Sequence, residues 1–239
     1  MPVYLLLTAF TVWMAVEAVR RGQAGSWLWI ILLFGPIGAA VYFFSEVQPL
    51  RGGGSGGRTV AADELRRAEA DVKRLDTAAA WTHLASLRRI RRQFGEAAAA
   101  AEKAVERDSQ GRDARYELGL ALLGAGRPGA AVPHLRHVVE GDRWYDSGDA
   151  LFALGEAEKA SGDFPAARAH LEELSGRSGR PEILYSLAEV QVRLGDEAAA
   201  SQALTRIVEE AELVPPYLQR SVKPWVRKAR RALKQMGRA

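Results

Sequence analysis

The fold of this chain is decided by a pattern that residues 116–135, YELGLALLGAGRPGAAVPHL, show most clearly and that recurs four times between residues 78 and 214. One position of the pattern always holds a small residue, at intervals of 34, 36 and 33: Ala85, Gly119, Gly155 and Ala188. A later position repeats the same intervals with alanine: Ala97, Ala131, Ala167 and Ala200. A period of about 34 residues with two helical patterns per unit indicates an array of helix pairs.

The residue types within each copy explain how such pairs pack. A small residue near the middle of each helix lets the two helix axes approach closely where they cross. The turn between the helices carries Gly126, Gly162 or Gly195, a residue that takes the left-handed conformation at a helix end without steric penalty, whereas the first copy has Arg92 there. The pattern resembles the tetratricopeptide repeat. The resemblance implies an all-α solenoid of four helix pairs, at about 78–111, 112–145, 148–180 and 181–214, whose stacked neighbours share one core.

The segments on either side of the repeats predict capping helices. Residues 59–77 place Leu65, Ala68, Val72 and Leu75 on one helical face, which would cover the first repeat. Residues 215–239 carry eight basic side chains and no acidic one, although the net charge of the whole chain is only +4. In this tail Pro224 can open a helix that places its apolar residues on one side. Its basic face consists of Arg227, Lys228, Arg230, Arg231 and Lys234.

Three uses of the basic tail are compatible with its sequence. Closing the last repeat with the apolar side is the interpretation we favour. Contact with anionic lipid through the basic side is the second. Binding of nucleic acid is the third and is not expected, because no recognised nucleic-acid reader accompanies the charge.

The first 45 residues predict a membrane hairpin. Residues 2–19 and 26–44 are nearly uncharged apolar runs, each about long enough to cross a hydrocarbon core of roughly 30 Å. The second run resembles the N-terminal two-helix module of phospholipase D-type enzymes such as cardiolipin synthase. That resemblance implies an anchor in the inner membrane with a cytoplasmic soluble domain. A signal peptide is the alternative for the first run, which lacks a basic start and a clear cleavage site. Residues 46–58 read as a flexible glycine-rich linker.

The sequence contains no recognisable catalytic or metal-binding motif. It has no cysteine, which excludes disulfides and thiolate chemistry. His134 and His137 lie three residues apart, but no acidic or cysteine ligands accompany them at fixed helical spacing, so we interpret them as ordinary groove or surface histidines. No nucleophile elbow, HExxH, phosphate-binding loop or HxK motif is present. We therefore predict a protein that is not an enzyme and that has no cofactor.

The resemblance to the tetratricopeptide repeat also implies a binding groove, because the first helix of each pair lines the concave side in that family. The fifth motif position gives one set of groove residues: Thr82, Tyr116, Phe152 and Tyr185. The next two turns of these helices give the others: Leu120, Glu156 and Glu189, then Arg89, Lys159 and Arg193. The aromatic rings would supply apolar area and the charges would set the register of an extended or helical peptide. Packing of these rings between the repeats is the alternative.

Together these patterns predict a membrane-anchored scaffold or adaptor that binds a protein or peptide in its groove. Its lipid contacts would be residues 2–19 and 26–44. The alternative function is an accessory subunit or regulator of a membrane enzyme of phospholipid metabolism.

Overall fold

The computed structural model describes residues 60–215 and 217–237, and within these residues every regular element is helical. Ten α-helices follow one another, and one short 3₁₀ turn, Tyr145–Gly148, precedes the sixth. The helices are α1 (Ala62–Leu75), α2 (Ala78–Ile90), α3 (Phe94–Arg107), α4 (Arg112–Gly124), α5 (Pro128–Gly141), α6 (Asp149–Ser161), α7 (Phe164–Ser175), α8 (Pro181–Arg193), α9 (Glu197–Leu213) and α10 (Gln219–Met236).

The helices from α2 to α9 form four pairs, and each pair packs against the next. This is the predicted all-helical solenoid. The alanines that recur in the second helix of each pair, Ala97, Ala131, Ala167 and Ala200, are fully buried. Gly119 shows why the crossing requires a small residue: a Cβ atom there would lie 2.5 Å from Cγ of Leu135 on the partner helix. The repeated small residues therefore set the distance between the paired helices.

The turns within the pairs share one backbone conformation. Gly126, Gly162 and Gly195 have φ values of 73°, 90° and 80°, and Arg92 takes the same left-handed conformation with φ 62°. A Cβ atom at any of the three glycines would have no neighbour within 4 Å. Glycine is thus favoured at these turns by backbone conformation and not by lack of space.

The terminal helices cover the two ends of the array. In α1, Ala68 and Val72 are buried in the same core cluster as α2 and α3. In α10, Ala229 is buried in a separate cluster with residues of α8 and α9, and Trp225 packs against that cluster. The helix α10 therefore closes the last repeat.

The helix α10 begins earlier than predicted, since Pro224 was expected to be its first residue. One continuous helix begins at Gln219, so Pro224 lies inside it. A proline at this place removes a single backbone hydrogen bond, the one to the carbonyl of Arg220. Packing of the following turns through Trp225 and Ala229 offsets that loss.

The structure contradicts the predicted inner-membrane localisation. No helix within residues 60–215 and 217–237 is both long enough and apolar enough to span a bilayer. The apolar runs 2–19 and 26–44, on which the predicted hairpin was based, and the linker 46–58 lie outside the described residues. The membrane localisation is therefore withdrawn.

Candidate functional site

The first helices of the four pairs, α2, α4, α6 and α8, form the surface that we call the first-helix face. All ten predicted groove residues lie on these helices: Thr82 and Arg89 on α2, Tyr116 and Leu120 on α4, Phe152, Glu156 and Lys159 on α6, and Tyr185, Glu189 and Arg193 on α8.

Several of the predicted charges form ion pairs, and two of these pairs join neighbouring first helices. Nε and Nη2 of Arg89 on α2 donate to the two carboxylate oxygens of Glu117 on α4, at 2.7 and 3.1 Å. These hydrogen bonds raise the pKa of Arg89. Nζ of Lys159 lies 2.7 Å from Glu156 Oε1 and 2.9 Å from Glu189 Oε2. Burial acts to lower the pKa of Lys159, but the two carboxylates outweigh burial and raise it. These charges therefore hold adjacent repeats together.

The ring of Tyr116 is packed against the 3₁₀ turn. It is only 9% exposed, and it meets the ring of Tyr145 edge-on with the centroids 5.1 Å apart. Its hydroxyl donates a hydrogen bond to Asp146 at 3.3 Å. Burial and the negative charge of Asp146 raise the pKa of Tyr116, so the phenol stays neutral and remains a donor. Tyr116 thus presents little area to a ligand.

Tyr145 and Asp146 belong to the 3₁₀ turn, which the sequence analysis did not associate with the groove. The connection between α5 and α6 covers residues 142–148, whereas residues 108–111 connect α3 to α4. The longer connection accounts for the interval of 36 residues between the second and third copies. Inside it, Asp146 and Ser147 have φ values of 51° and 57°. The hydroxyl of Tyr145 donates to Asp113 of α4, so the turn folds back over the first-helix face.

A cavity of about 910 Å³ opens at this end of the first-helix face, between α2, α4 and the 3₁₀ turn. We call it the N-terminal cavity. Thr82 and Tyr116 of the predicted set line it. Its lining is rich in carboxylates: Asp108, Asp113, Glu117 and Asp146. The lining also contains His83 and Arg112, and Arg112 faces Asp142 at 3.7 Å.

A second cavity, of about 880 Å³, lies between α6, α8, α9 and α10, and we call it the C-terminal cavity. Four predicted residues line it: Lys159, Tyr185, Glu189 and Arg193. Its apolar wall includes Val192, which is 45% exposed, and Met236 of α10. The guanidinium of Arg193 lies 6.0 Å from the ring centroid of Phe164.

Tyr185 and the residues between the two cavities are partly covered by their neighbours. Tyr185 packs against Trp225 of α10 with the ring centroids 5.7 Å apart. The guanidinium of Arg180 lies 5.7 Å from the ring centroid of Phe152. Leu120 is partly buried against the core. The three aromatic residues in register therefore do not form one open row.

Comparison with known proteins identifies the repeats. Two sequence models, both described as "Tetratricopeptide repeat", match this chain: one at residues 84–143 and 116–160, the other at residues 158–220. The chain belongs to the tetratricopeptide-repeat family. No curated protein matches the sequence of this tetratricopeptide-repeat protein.

Solved tetratricopeptide-repeat structures share the fold of this protein. One is YrrB, described as "a TPR protein with an unusual peptide-binding site"; it has a TM-score of 0.59 and 18% identity and covers 87% of this chain and 98% of its own. MamA from Desulfovibrio magneticus RS-1 has a TM-score of 0.57 and 18% identity, covering 71% of this chain and 93% of its own. PilW, described as a "widely conserved type IV pilus biogenesis factor", has a TM-score of 0.55 and 16% identity, covering 82% and 89%. At these identities the likeness shows the fold alone.

The basic residues of α10 in this tetratricopeptide-repeat protein are exposed and lie apart from the first-helix face, with one exception. Nζ of Lys228 lies 4.3 Å from the ring centroid of Trp225 and 5.3 Å from that of Tyr185. The other predicted members of the basic face are exposed as well: Arg227, Arg230, Arg231 and Lys234.

The histidines of the tetratricopeptide-repeat protein do not assemble a metal site in the described part of the chain. No group of three or more His, Cys, Asp or Glu side chains there is arranged to hold an ion. Burial, followed by the positive charge of Arg115, lowers the pKa of His134. Both predicted histidines, His134 and His137, lie on α5.

A buried polar cluster that the sequence analysis missed joins the second and third repeats. Glu158 of α6 is only 1% exposed. Its two carboxylate oxygens lie 3.3 Å from Nη2 of Arg136 on α5 and 2.8 Å from Nδ1 of His170 on α7. The cluster has a structural role, because a buried carboxylate is tolerated only when it is paired.

Proposed function

We propose that this tetratricopeptide-repeat protein is a non-catalytic scaffold or adaptor that binds a segment of a partner protein along its first-helix face. The observation that carries the proposal is that two open cavities are lined in part by the first helices and contain six of the ten predicted groove residues. YrrB, which has the same fold, is described as having a peptide-binding site, and this supports a peptide as the ligand class here.

The lining of the N-terminal cavity favours a positively charged part of the partner. Asp113 and Asp146 accept hydrogen bonds from tyrosine hydroxyls, and neither forms an ion pair within residues 60–215 and 217–237. Their charge is therefore available to a lysine, an arginine or an amino terminus of the bound segment. The focused negative potential of such a cavity also accelerates encounter with a basic segment.

The C-terminal cavity favours an apolar side chain. Val192 and Met236 supply aliphatic surface, and Tyr185 supplies an aromatic ring. Arg193 at the rim can pair with a carboxylate or a backbone carbonyl of the ligand. A segment with a basic end and an apolar end would fit the two cavities in only one orientation. Complementarity of this kind gives a groove its specificity.

The proposal is tested by panning a library of short random peptides on the full chain and measuring the affinity of the enriched peptides by fluorescence anisotropy. We expect enriched peptides to contain lysine or arginine. The double variant Asp113→Asn/Asp146→Asn should weaken their binding about tenfold, since two negative charges of the cavity are lost.

A matched control has the same loss of charge on another surface. Glu102→Gln/Glu140→Gln changes two exposed residues of the second helices α3 and α5, and it should leave peptide affinity unchanged. Binding on the first-helix face would be refuted if no peptides were enriched. It would also be refuted if the cavity variant and the control bound the enriched peptides with equal affinity. No observation on the described residues favours the alternative of a phospholipid-enzyme accessory, so it is not proposed.

A further inference from the structure

The helix α10 carries a set of basic side chains that the rest of the described chain does not neutralise. It has no acidic residue, and it has seven basic ones: Arg220, Lys223, Arg227, Lys228, Arg230, Arg231 and Lys234. Across residues 60–215 and 217–237, none of these forms an ion pair with a carboxylate, whereas Arg89, Arg143 and Arg206 on other helices or loops all do. The positive charge of α10 is therefore available to a partner.

Four of these seven residues surround an apolar cleft. The cleft lies between α9 and α10 and has a volume of about 670 Å³. Its walls are aliphatic, formed by Val208 and Ala211 of α9 and by Val222 and Val226 of α10. The lining also contains one acidic residue, Glu212, and four basic residues, which we call the rim: Arg220, Lys223, Arg227 and Arg230. We call this site the α9–α10 cleft.

Two large apolar side chains are exposed close in sequence to residues that line the cleft. Leu213, the last residue of α9, is 84% exposed, and Tyr217, just before α10, is 79% exposed. Leu213 directly follows the lining residue Glu212, and Tyr217 lies two residues before the lining residue Gln219. Exposed apolar surface that is rimmed by charge is typical of protein interaction sites, where it becomes buried on binding.

We propose that the α9–α10 cleft docks an acidic amphipathic segment of a partner protein. Apolar side chains of the segment would cover Leu213, Tyr217 and the aliphatic walls. Its Asp and Glu side chains would pair with the rim, because the planar guanidinium group matches a carboxylate in two parallel hydrogen bonds. A nucleic acid would satisfy the charges but would leave the apolar residues exposed, since its phosphate backbone offers no apolar surface to them.

This site is distinct from the first-helix face and does not depend on peptide binding there. Its probe is a synthetic fluorescent peptide whose helix would place leucine on one side and glutamate on the other, used with the full chain in anisotropy titrations. A scrambled peptide of identical composition, which lacks the apolar side, is the peptide control. We expect the amphipathic peptide to bind at least about tenfold more tightly than the scrambled one, and its affinity to fall with added salt.

Three double variants locate the binding. Arg227→Glu/Arg230→Glu should weaken the peptide about tenfold or more, because the rim would then repel carboxylates. The control Arg231→Glu/Lys234→Glu makes the same change of charge on the same helix outside the cleft, and it should have little effect. Leu213→Ser/Tyr217→Ser changes only exposed side chains and should also weaken the amphipathic peptide.

The proposal is overturned by equal binding of the amphipathic and scrambled peptides, or by equal effects of the cleft and control variants. It is also overturned if duplex DNA or anionic lipid vesicles bind the cleft, with the same dependence on Arg227 and Arg230, more tightly than the peptide does.

Discussion

The substitution Gly119→Ala tests whether the small residues set the distance between paired helices. A Cβ atom at position 119 would lie 2.5 Å from Cγ and 2.7 Å from Cδ2 of Leu135. Ordinary contacts between carbon atoms are about 3.5–4.0 Å long, so the overlap is about 1 Å. Leu135 is fully buried, and its branch carbon cannot move aside without disturbing the crossing.

Two opposing effects determine the magnitude. Overpacking of a filled core costs about 1–3 kcal/mol, and an overlap at the branch carbon of a fully buried leucine places this site near the upper end. Alanine in place of glycine within a helix contributes about 1 kcal/mol of stability. We therefore expect Gly119→Ala to lower the free energy of unfolding by about 2 kcal/mol.

Alanine substitutions at two other glycines provide comparisons for the stability change at Gly119. At Gly155 the added Cβ atom would lie 3.2 Å from Cγ of Leu171, a smaller overlap, so the two effects should nearly cancel. At Gly129, near the start of α5, it would meet nothing within 4 Å, and alanine should stabilise by about 0.5 kcal/mol. Urea denaturation followed by far-UV circular dichroism measures all three variants.

A double variant identifies the clash as the cause. The first repeat has alanine at both equivalent positions, Ala85 and Ala101, and both are fully buried. Adding Leu135→Ala to Gly119→Ala should therefore cost less than the sum of the two single changes, by about 1–2 kcal/mol. If Gly119→Ala is as stable as the parent protein, or if the two changes add, close packing at this crossing is not what requires glycine.

Three further predictions concern single sites. Arg92→Gly should stabilise the protein by about 0.5–1 kcal/mol in urea denaturation, since a left-handed backbone is strained for arginine and not for glycine; a loss of stability would contradict this reading of the turn. His170→Ala should destabilise by about 1–2 kcal/mol because it removes a partner of the buried Glu158, while an unchanged urea midpoint would show that Arg136 alone suffices. Hydrogen bonds from Trp81 Nε1 and from Arg107 lower the pKa of Asp76 below its ordinary 3.8. The stability that Asp76 contributes should be complete above pH 3.8 and lost as the pH falls through the lowered pKa, so Asp76→Asn should flatten the acid side of a pH titration of stability.

The ends of the helices could be predicted from the sequence because their signals are local. Gly126 and the other turn glycines mark where a helix must end, and the structure begins the next helix two residues later, at Pro128. Gly119 could also be interpreted from sequence, because a small residue that recurs at one position in every repeat implies a close approach. The structure added that this approach is tightest at Gly119 and looser at Gly155.

The exposure of the groove residues could not be predicted in the same way. The interval of 36 residues showed that the second repeat is longer, but not where its extra residues would lie. Only the folded chain shows that they form a turn whose Tyr145 and Asp146 cover Tyr116. Phe152, at the equivalent position of the next repeat, has no such turn above it in the described chain and stays half-buried under Arg180 instead.

The sequence by itself determined the helix pairs, their turns and their small crossing residues, because each depends on side chains within a few turns of one helix or on strict repetition. Only the tertiary structure decided which carboxylates of the N-terminal cavity lack an ion-pair partner among the described residues. It also decided that basic side chains of α10 surround an apolar cleft. These properties depend on contacts between residues about thirty positions apart or on different helices. Such contacts follow from the rotation between stacked repeats and from the path of their connections, which the pattern within one repeat does not specify.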